Sequence, residues 1–170
     1  MSTTIRPALP ADVRGINRLV EPMTHTGILL GKDLVSYYES VQEFLVACDD
    51  DGRVVGCGAL HVMWEDLAEV RTLAVHDDLR GTGLGHRLLD ALLERALHLG
   101  LQRVFCLTFE VEFFSRHGFE VMSEEVDPDV YNQLLRSPDE GIAEFLDLAR
   151  VKPNTLGNTR MLRTLPTTDD

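Results

Sequence analysis

Positive charge is scarce in this chain: Lys and Arg number 16 against 28 Asp and Glu, for a formal net charge of −12 over 170 residues. Such a surface repels nucleic-acid phosphates, and no run of Lys or Arg opposes it, so nucleic acid is excluded as the expected partner. Long apolar runs are missing too. Nothing approaches the ~18 uninterrupted apolar residues of a membrane helix, and the start MSTTIRPALP has neither the basic end nor the apolar stretch of a secretory signal. The expectation is a cytoplasmic protein with no membrane partner. The three cysteines, Cys48, Cys57 and Cys106, are widely spaced inside apolar runs, which reads as buried free thiols and not a disulfide framework. The six histidines never fall at i, i+4 on one helix with a third ligand nearby, so no metal is expected.

What remains is an ordinary globular composition, long enough for one domain, taken as residues 1–165 followed by a frayed polar tail, 166–170. Ile5 opens a short strand and Pro10-Ala11-Asp12 starts a helix, with Val13, Ile16, Leu19 and Val20 at helical spacing. Asp33 caps a second helix with Leu34, Tyr37, Tyr38 and Val41 on its apolar face. Residues 43–48, the acidic turn DDDG and residues 53–64 form a hairpin, and 67–75 extends it into an antiparallel meander. Leu88, Leu89, Leu92, Leu93, Ala96 and Leu97 mark a helix packed on a sheet and ended by Gly100. The continuously apolar run 104–109 suits a strand covered on both faces. A short helix over 111–117, a strand over 119–122, a helix over 127–137, a segment 142–148 that suits helix or strand, and a last strand over 160–165 complete the reading.

The richest stretch is Leu79-Arg80-Gly81-Thr82-Gly83-Leu84-Gly85-His86, between a strand and the leucine-striped helix. Alternating glycines let successive N–H groups converge, the helix behind them adds the positive end of its dipole, and Arg80 supplies a charge-assisted bond. A pyrophosphate fits there. No Lys-Ser/Thr follows the last glycine, which excludes the P-loop, and the antiparallel meander ahead of it disfavours a dinucleotide fold.

On these residues the chain resembles the GNAT superfamily of N-acetyltransferases, whose coenzyme A motif, Gln/Arg-x-x-Gly-x-Gly/Ala, matches Arg80 through Gly85. Ile5-Arg6 with Ala8 and Asp12, Ala68-Glu69-Val70 through Val75, and Phe113-Phe114-Ser115-Arg116-His117-Gly118-Phe119 follow the family's order over about two thirds of the chain. The resemblance implies an α/β (α+β) fold: a mixed, mostly antiparallel sheet of about seven strands, flanked by helices and splayed between the fourth and fifth strands. It implies acetyl-CoA as co-substrate. Leu73, Ala74 and Val75 hold its pantetheine arm; Arg80, Gly81, Thr82, Gly83, Leu84, Gly85 and His86 hold the pyrophosphate; Phe114 lines the same site. Glu69 is the candidate base, with Glu65 and Glu110 as alternatives, and the Leu73 N–H the candidate oxyanion donor. Where relatives place a tyrosine as general acid this chain has Phe114, which leaves Thr108, Ser115 or water to meet the thiolate.

Gly27-Ile28-Leu29-Leu30-Gly31-Lys32, Cys57-Gly58-Ala59-Leu60, Leu107-Thr108 and Asn158-Thr159-Arg160-Met161-Leu162 are similar to the branch of the family that acetylates the α-amine of glutamate, the first step of arginine biosynthesis. Longer members carry an amino-acid-kinase domain where arginine inhibits; this sequence does not include it, so that control is not carried over. Two substrate carboxylates call for cations or amide donors, and Lys32, Arg71, Lys152, Arg160 and Asn158 are the candidates, with Glu110 beside them. Arg71 is two residues from Glu69 and shares its strand face. Glutamine, another amino acid, a polyamine or a protein N-terminus are the alternative acceptors, and a non-catalytic acyl-CoA sensor is the alternative class. A homodimer is compatible with all of these.

Overall fold

The computed structural model describes residues 2–29, 31–123, 125–148 and 157–167. Among them are strands β1 (Thr4–Pro7), β2 (Phe44–Cys48), β3 (Val54–Trp64), β4 (Leu67–Val75), β5 (Arg103–Thr108), β6 (Glu120–Val121) and β7 (Thr159–Thr164), in one sheet of order β1-β2-β3-β4-β5-β7-β6. Helices α1 (Val13–His25), α2 (Leu34–Glu39), α3 (Leu84–His98), α4 (Val111–Ser115), α5 (Pro128–Leu134) and α6 (Glu140–Phe145) accompany it. The sheet is mixed, as expected: β1-β2, β2-β3, β5-β7 and β6-β7 are antiparallel, whereas β4 and β5 run parallel. Leu30, Lys152 and residues 168–170 of the tail lie outside the described residues. The chain divides into two compact units, residues up to 61 with 70–95, and residues 62–69 with those from 96 onward.

In the first unit, strand alternation sends β2 side chains to two different helix layers. Val46 and Cys48 join Val13, Ile16 and Val20 of α1, Tyr37 of α2 and Cys57 of β3, whereas Ala47 joins Leu84 and Leu88 of α3. Gly56 and Gly58 let α3 lie close on β3: a Cβ at Gly56 would stand 2.9 Å from Leu88 Cδ1, and one at Gly58 2.8 Å from Leu92 Cδ1. The anticipated helix start at Pro10 is a 3-10 turn, Pro10–Asp12, and α1 proper begins at Val13. Asp12 secures this entry, accepting from the Leu9 N–H at 2.7 Å and from Arg6 Nη1 and Nη2 at 2.7 and 2.9 Å.

In the second unit, β5 pairs with β7 from Arg103↔Thr164 to Thr108↔Thr159, and with β4 over three pairs, Leu67↔Arg103, Ala68↔Val104 and Glu69↔Phe105. Residues 70–75 continue past the end of that ladder. The core gathers Met63, Leu67, Phe105, Leu134, Ile142, Phe145, Leu146 and Leu162. Residues 142–148, left open between helix and strand, contain the end of α6. Asp139 Oδ1 accepts from the Ile142 N–H at 3.2 Å and starts that helix, and residues 141–146 are buried on every side, which erases the periodicity that would have announced it.

Candidate functional site

The glycine turn follows β4 directly. The His76 N–H donates to Val55 O at 2.8 Å, a 3-10 turn spans Asp77–Leu79, and Thr82 Oγ1 donates to Leu79 O at 2.6 Å. Gly81 and Gly83 then take φ of +77° and +86°, the left-handed region that glycine enters without cost, and a Cβ at either would have no heavy atom within 4 Å. The Arg87 N–H closes on Gly83 O at 3.1 Å, the first i→i−4 bond of α3, so the backbone of residues 83–86 forms the opening turn of that helix. Open space over Gly81 and Gly83 with the N-terminus of a fifteen-residue helix behind it is an arrangement that suits an anion. Arg80 is exposed and its Nε pairs with Asp77 at 3.0 Å, an exposed contact worth only ~0–1 kcal/mol that yields readily to a phosphate. Arg87 ties the first turn of α3 to the residue ahead of β1, donating to Thr3 Oγ1 at 2.8 Å and Thr3 O at 3.1 Å.

β4 supplies the second part of this unit. Leu73, Val75 and Leu79 pack against Ala47, Leu84 and Leu88, so the strand residues expected to hold the pantetheine arm and the turn expected to hold the pyrophosphate share one apolar cluster. Between Arg71 and Leu73, within β4, Thr72 takes a φ of +55°. A β-branched residue in the left-handed region costs ~1–2 kcal/mol, and its carbonyl leaves the ordinary ladder direction. Cys57 Sγ donates to Thr72 O at 3.3 Å. Neither Thr72 nor Cys57 was a site candidate from sequence, because a threonine in a strand carries no signal of a left-handed φ. Ala74 is buried, while Lys32, Arg71 and His86 are half-buried, each with a partner.

In the second unit, Glu69 is 4 % exposed, opposite Phe105 in the ladder with β5. Burial raises the Cys106 thiol and the Glu69 charge raises it further, so Cys106 stays protonated. Thr108, buried at the end of β5, accepts the Glu110 N–H at 2.8 Å, which leaves its own hydroxyl proton to donate. Glu110 and Ser115 are exposed, as is Glu65. The Phe114 ring is buried edge-on to Phe113 and Phe119, with centroids 5.2 Å from each, a core position within its aromatic trio.

The start of β7 brings Arg160 opposite Leu107, with Asn158 just before the strand. Arg160 Nη2 donates to Phe145 O, while Arg160 Nε and Asn158 Oδ1 are buried with no hydrogen-bond partner among the described residues. Burial holds the Arg160 guanidinium below its ordinary pKa, and the Asp147 carboxylate opposes that shift. Lys152, the remaining cation candidate, lies outside the described residues. No group of three His, Cys, Asp or Glu suited to a metal ion occurs among the described residues.

The model of the acetyltransferase (GNAT) family matches residues 20–119. The chain is 55 % identical over 165 residues to an amino-acid acetyltransferase of Mycobacterium tuberculosis, covering 95 % of this chain and 94 % of the relative. A solved structure of Rv2747 from the same organism, in complex with CoA and NLQ, superposes with a TM-score of 0.91 at 53 % identity, over 96 % of this chain and 99 % of that one. N-acetylglutamate synthase from Neisseria gonorrhoeae, complexed with coenzyme A and N-acetyl-glutamate, gives a TM-score of 0.77 at 25 % identity, over 98 % of this chain but 36 % of the longer one.

Proposed function

Because the chain belongs to the acetyltransferase (GNAT) family, we propose that it moves the acetyl group of acetyl-CoA to the α-amine of L-glutamate, as an N-acetylglutamate synthase at the first step of arginine biosynthesis in the cytoplasm. Acyl transfer from acetyl-CoA comes with the family, and residues 1–165 act as one catalytic domain. The acceptor rests on Arg160: a guanidinium whose Nε is buried without a partner among the described residues, in a chain of net charge −12, is a donor waiting for an anion. A buried unsatisfied donor costs ~1–3 kcal/mol, which a substrate carboxylate relieves. Lys32, Arg71 and Lys152 are the further cations for two carboxylates, and Glu110 meets the ammonium. The amino-acid acetyltransferase and N-acetylglutamate synthase relatives support the same acceptor class.

The chemistry runs in three steps. The turn of Gly81, Thr82, Gly83, Leu84, Gly85 and His86, helped by Arg80, holds the pyrophosphate, and backbone groups of Leu73, Ala74 and Val75 hold the pantetheine. Glu69 removes a proton from the substrate ammonium, directly or through water, and the freed lone pair attacks the thioester carbonyl carbon. The Leu73 N–H stabilises the tetrahedral oxyanion. Its collapse breaks the C–S bond as the attacking nitrogen gives up its second proton, which Thr108 or water relays to the departing thiolate.

A second reading, glutamine, is favoured by Asn158 Oδ1. A buried acceptor without a partner among the described residues suits a substrate amide N–H, which a carboxylate lacks. Thiol release from acetyl-CoA, measured across the twenty amino acids, tests both. Turnover with glutamate or glutamine at least tenfold above every other acceptor is expected, with glutamate ahead; equal rates across the panel would remove the assignment.

A further inference from the structure

We propose that Cys57 is a positioning residue for acetyl transfer: its thiol holds the peptide between Thr72 and Leu73 in the bend that presents the Leu73 N–H to the thioester oxygen. The inference rests on the reading of that N–H as the oxyanion donor.

Thr72 at φ +55° persists in a strand only if its surroundings over-determine it. Cys57 is fully buried on β3, and its Sγ–H donates to Thr72 O at 3.3 Å. The chain contains no cis peptide among the described residues, so Thr72 O and the Leu73 N–H point in opposite directions from one rigid plane. Fixing the carbonyl therefore fixes the amide. Burial pushes the thiol up to about 12, against an opposing hydrogen bond from the Ala74 N–H, so the sulfur remains a donor throughout the neutral range and touches the strand on both sides of Leu73.

The neighbours of Cys57 limit any slack. Gly56 and Gly58 bring β3 hard against α3, and a Cβ at Gly58 would stand 3.0 Å from Leu73 Cδ1, so the Leu73 side chain is confined while the thiol pins the peptide ahead of it. A glycine-cysteine-glycine run thus serves two faces of one strand: closeness to α3 on one, a clamp on β4 from the other. Neither sulfur nor carbonyl meets substrate in this scheme. Cys57 acts through the Leu73 amide.

Cys57→Ala and Cys57→Ser separate the clamp from simple packing. Serine keeps a donor for Thr72 O and an acceptor for the Ala74 N–H; alanine keeps neither. Measured well below each variant's unfolding temperature, kcat is expected to fall about tenfold in the alanine variant, short of the ~10²–10³ lost when an oxyanion donor is removed outright. The acetyl-CoA KM stays within about twofold, and serine restores kcat to within about threefold. In the free protein, the Leu73 amide ¹⁵N resonance is displaced by alanine and returned by serine. Wild-type kcat in the alanine variant, or serine and alanine variants impaired alike, overturns the proposal. Titrating acetyl-CoA into wild-type protein tests the underlying reading separately. A Leu73 amide resonance that does not move on saturation removes its oxyanion role, whereas its displacement by alanine in the free protein needs no ligand.

Discussion

Gly83 is a position at which the proposed coenzyme-binding role of the turn can be tested apart from folding. At φ +86° any L side chain there costs ~1–2 kcal/mol of backbone strain. With no heavy atom within 4 Å of an ideal Cβ, that strain is the whole stability cost of an added methyl. Gly83→Ala and Gly83→Trp share this backbone cost. At ~2–4 °C per kcal/mol for a chain of this length, both midpoints fall by about 2–8 °C. Binding diverges. A methyl group displaces the phosphate slightly, but an indole fills the open space where the phosphate sits and removes at least two charge-assisted N–H contacts, each worth ~1.5–3 kcal/mol. A loss of ~3 kcal/mol or more is at least a hundredfold in Kd. Thermal unfolding by circular dichroism and titration calorimetry with coenzyme A read the two effects independently. A folded tryptophan variant that binds coenzyme A within threefold of wild type would refute the assignment of this turn.

Asp12→Asn keeps an acceptor for the Leu9 N–H but gives up the charged bonds to Arg6, with an expected loss of ~1–2 kcal/mol at pH 7 after allowing for the part-exposed Arg6. The Arg6 hydrogen bonds, opposed by burial and assisted by the Leu9 N–H, hold the Asp12 carboxyl below its ordinary value. Its contribution is therefore present above about pH 4, the ordinary carboxyl value, and lost as pH falls through the lower folded value, so denaturant unfolding should show the gap between wild type and variant shrinking as pH is lowered below that point; a gap that stays constant contradicts this. Glu69→Gln should lower kcat most at low pH, where the substrate amine is protonated and no carboxylate is present to take its proton, while leaving coenzyme A affinity unchanged. A pH–rate profile parallel to wild type would hand the base role to another group.

Features with a strong local signature were legible without the structure. The glycine turn announced itself because alternating glycines before a leucine-striped helix suit left-handed φ values, and Gly81 and Gly83 both take them. The hairpin around the DDDG turn was equally clear, and β2 pairs antiparallel with β3 across it. Arg160 was recognisable as a candidate cation, but its burial arises from the β5-β7 register, which places it opposite Leu107, and no local pattern encodes that. Thr72 and Cys57 were illegible for a sharper reason. Each is an ordinary strand residue by propensity, and their importance lies in a bend that only the neighbouring strand enforces. Phe114 shows the opposite limit: the family comparison drew attention to it for chemistry, while its ring is held by Phe113 and Phe119.

The two glycines beneath α3 give evolution a handle on affinity that lies out of contact with any ligand. A single added methyl at Gly56 or Gly58 acts as a shim, lifting or tilting the helix on its bed of leucines and carrying the amides at its tip with it. The seating of the proposed grip on the acyl carrier thus depends on two residues that are not themselves assigned to meet it.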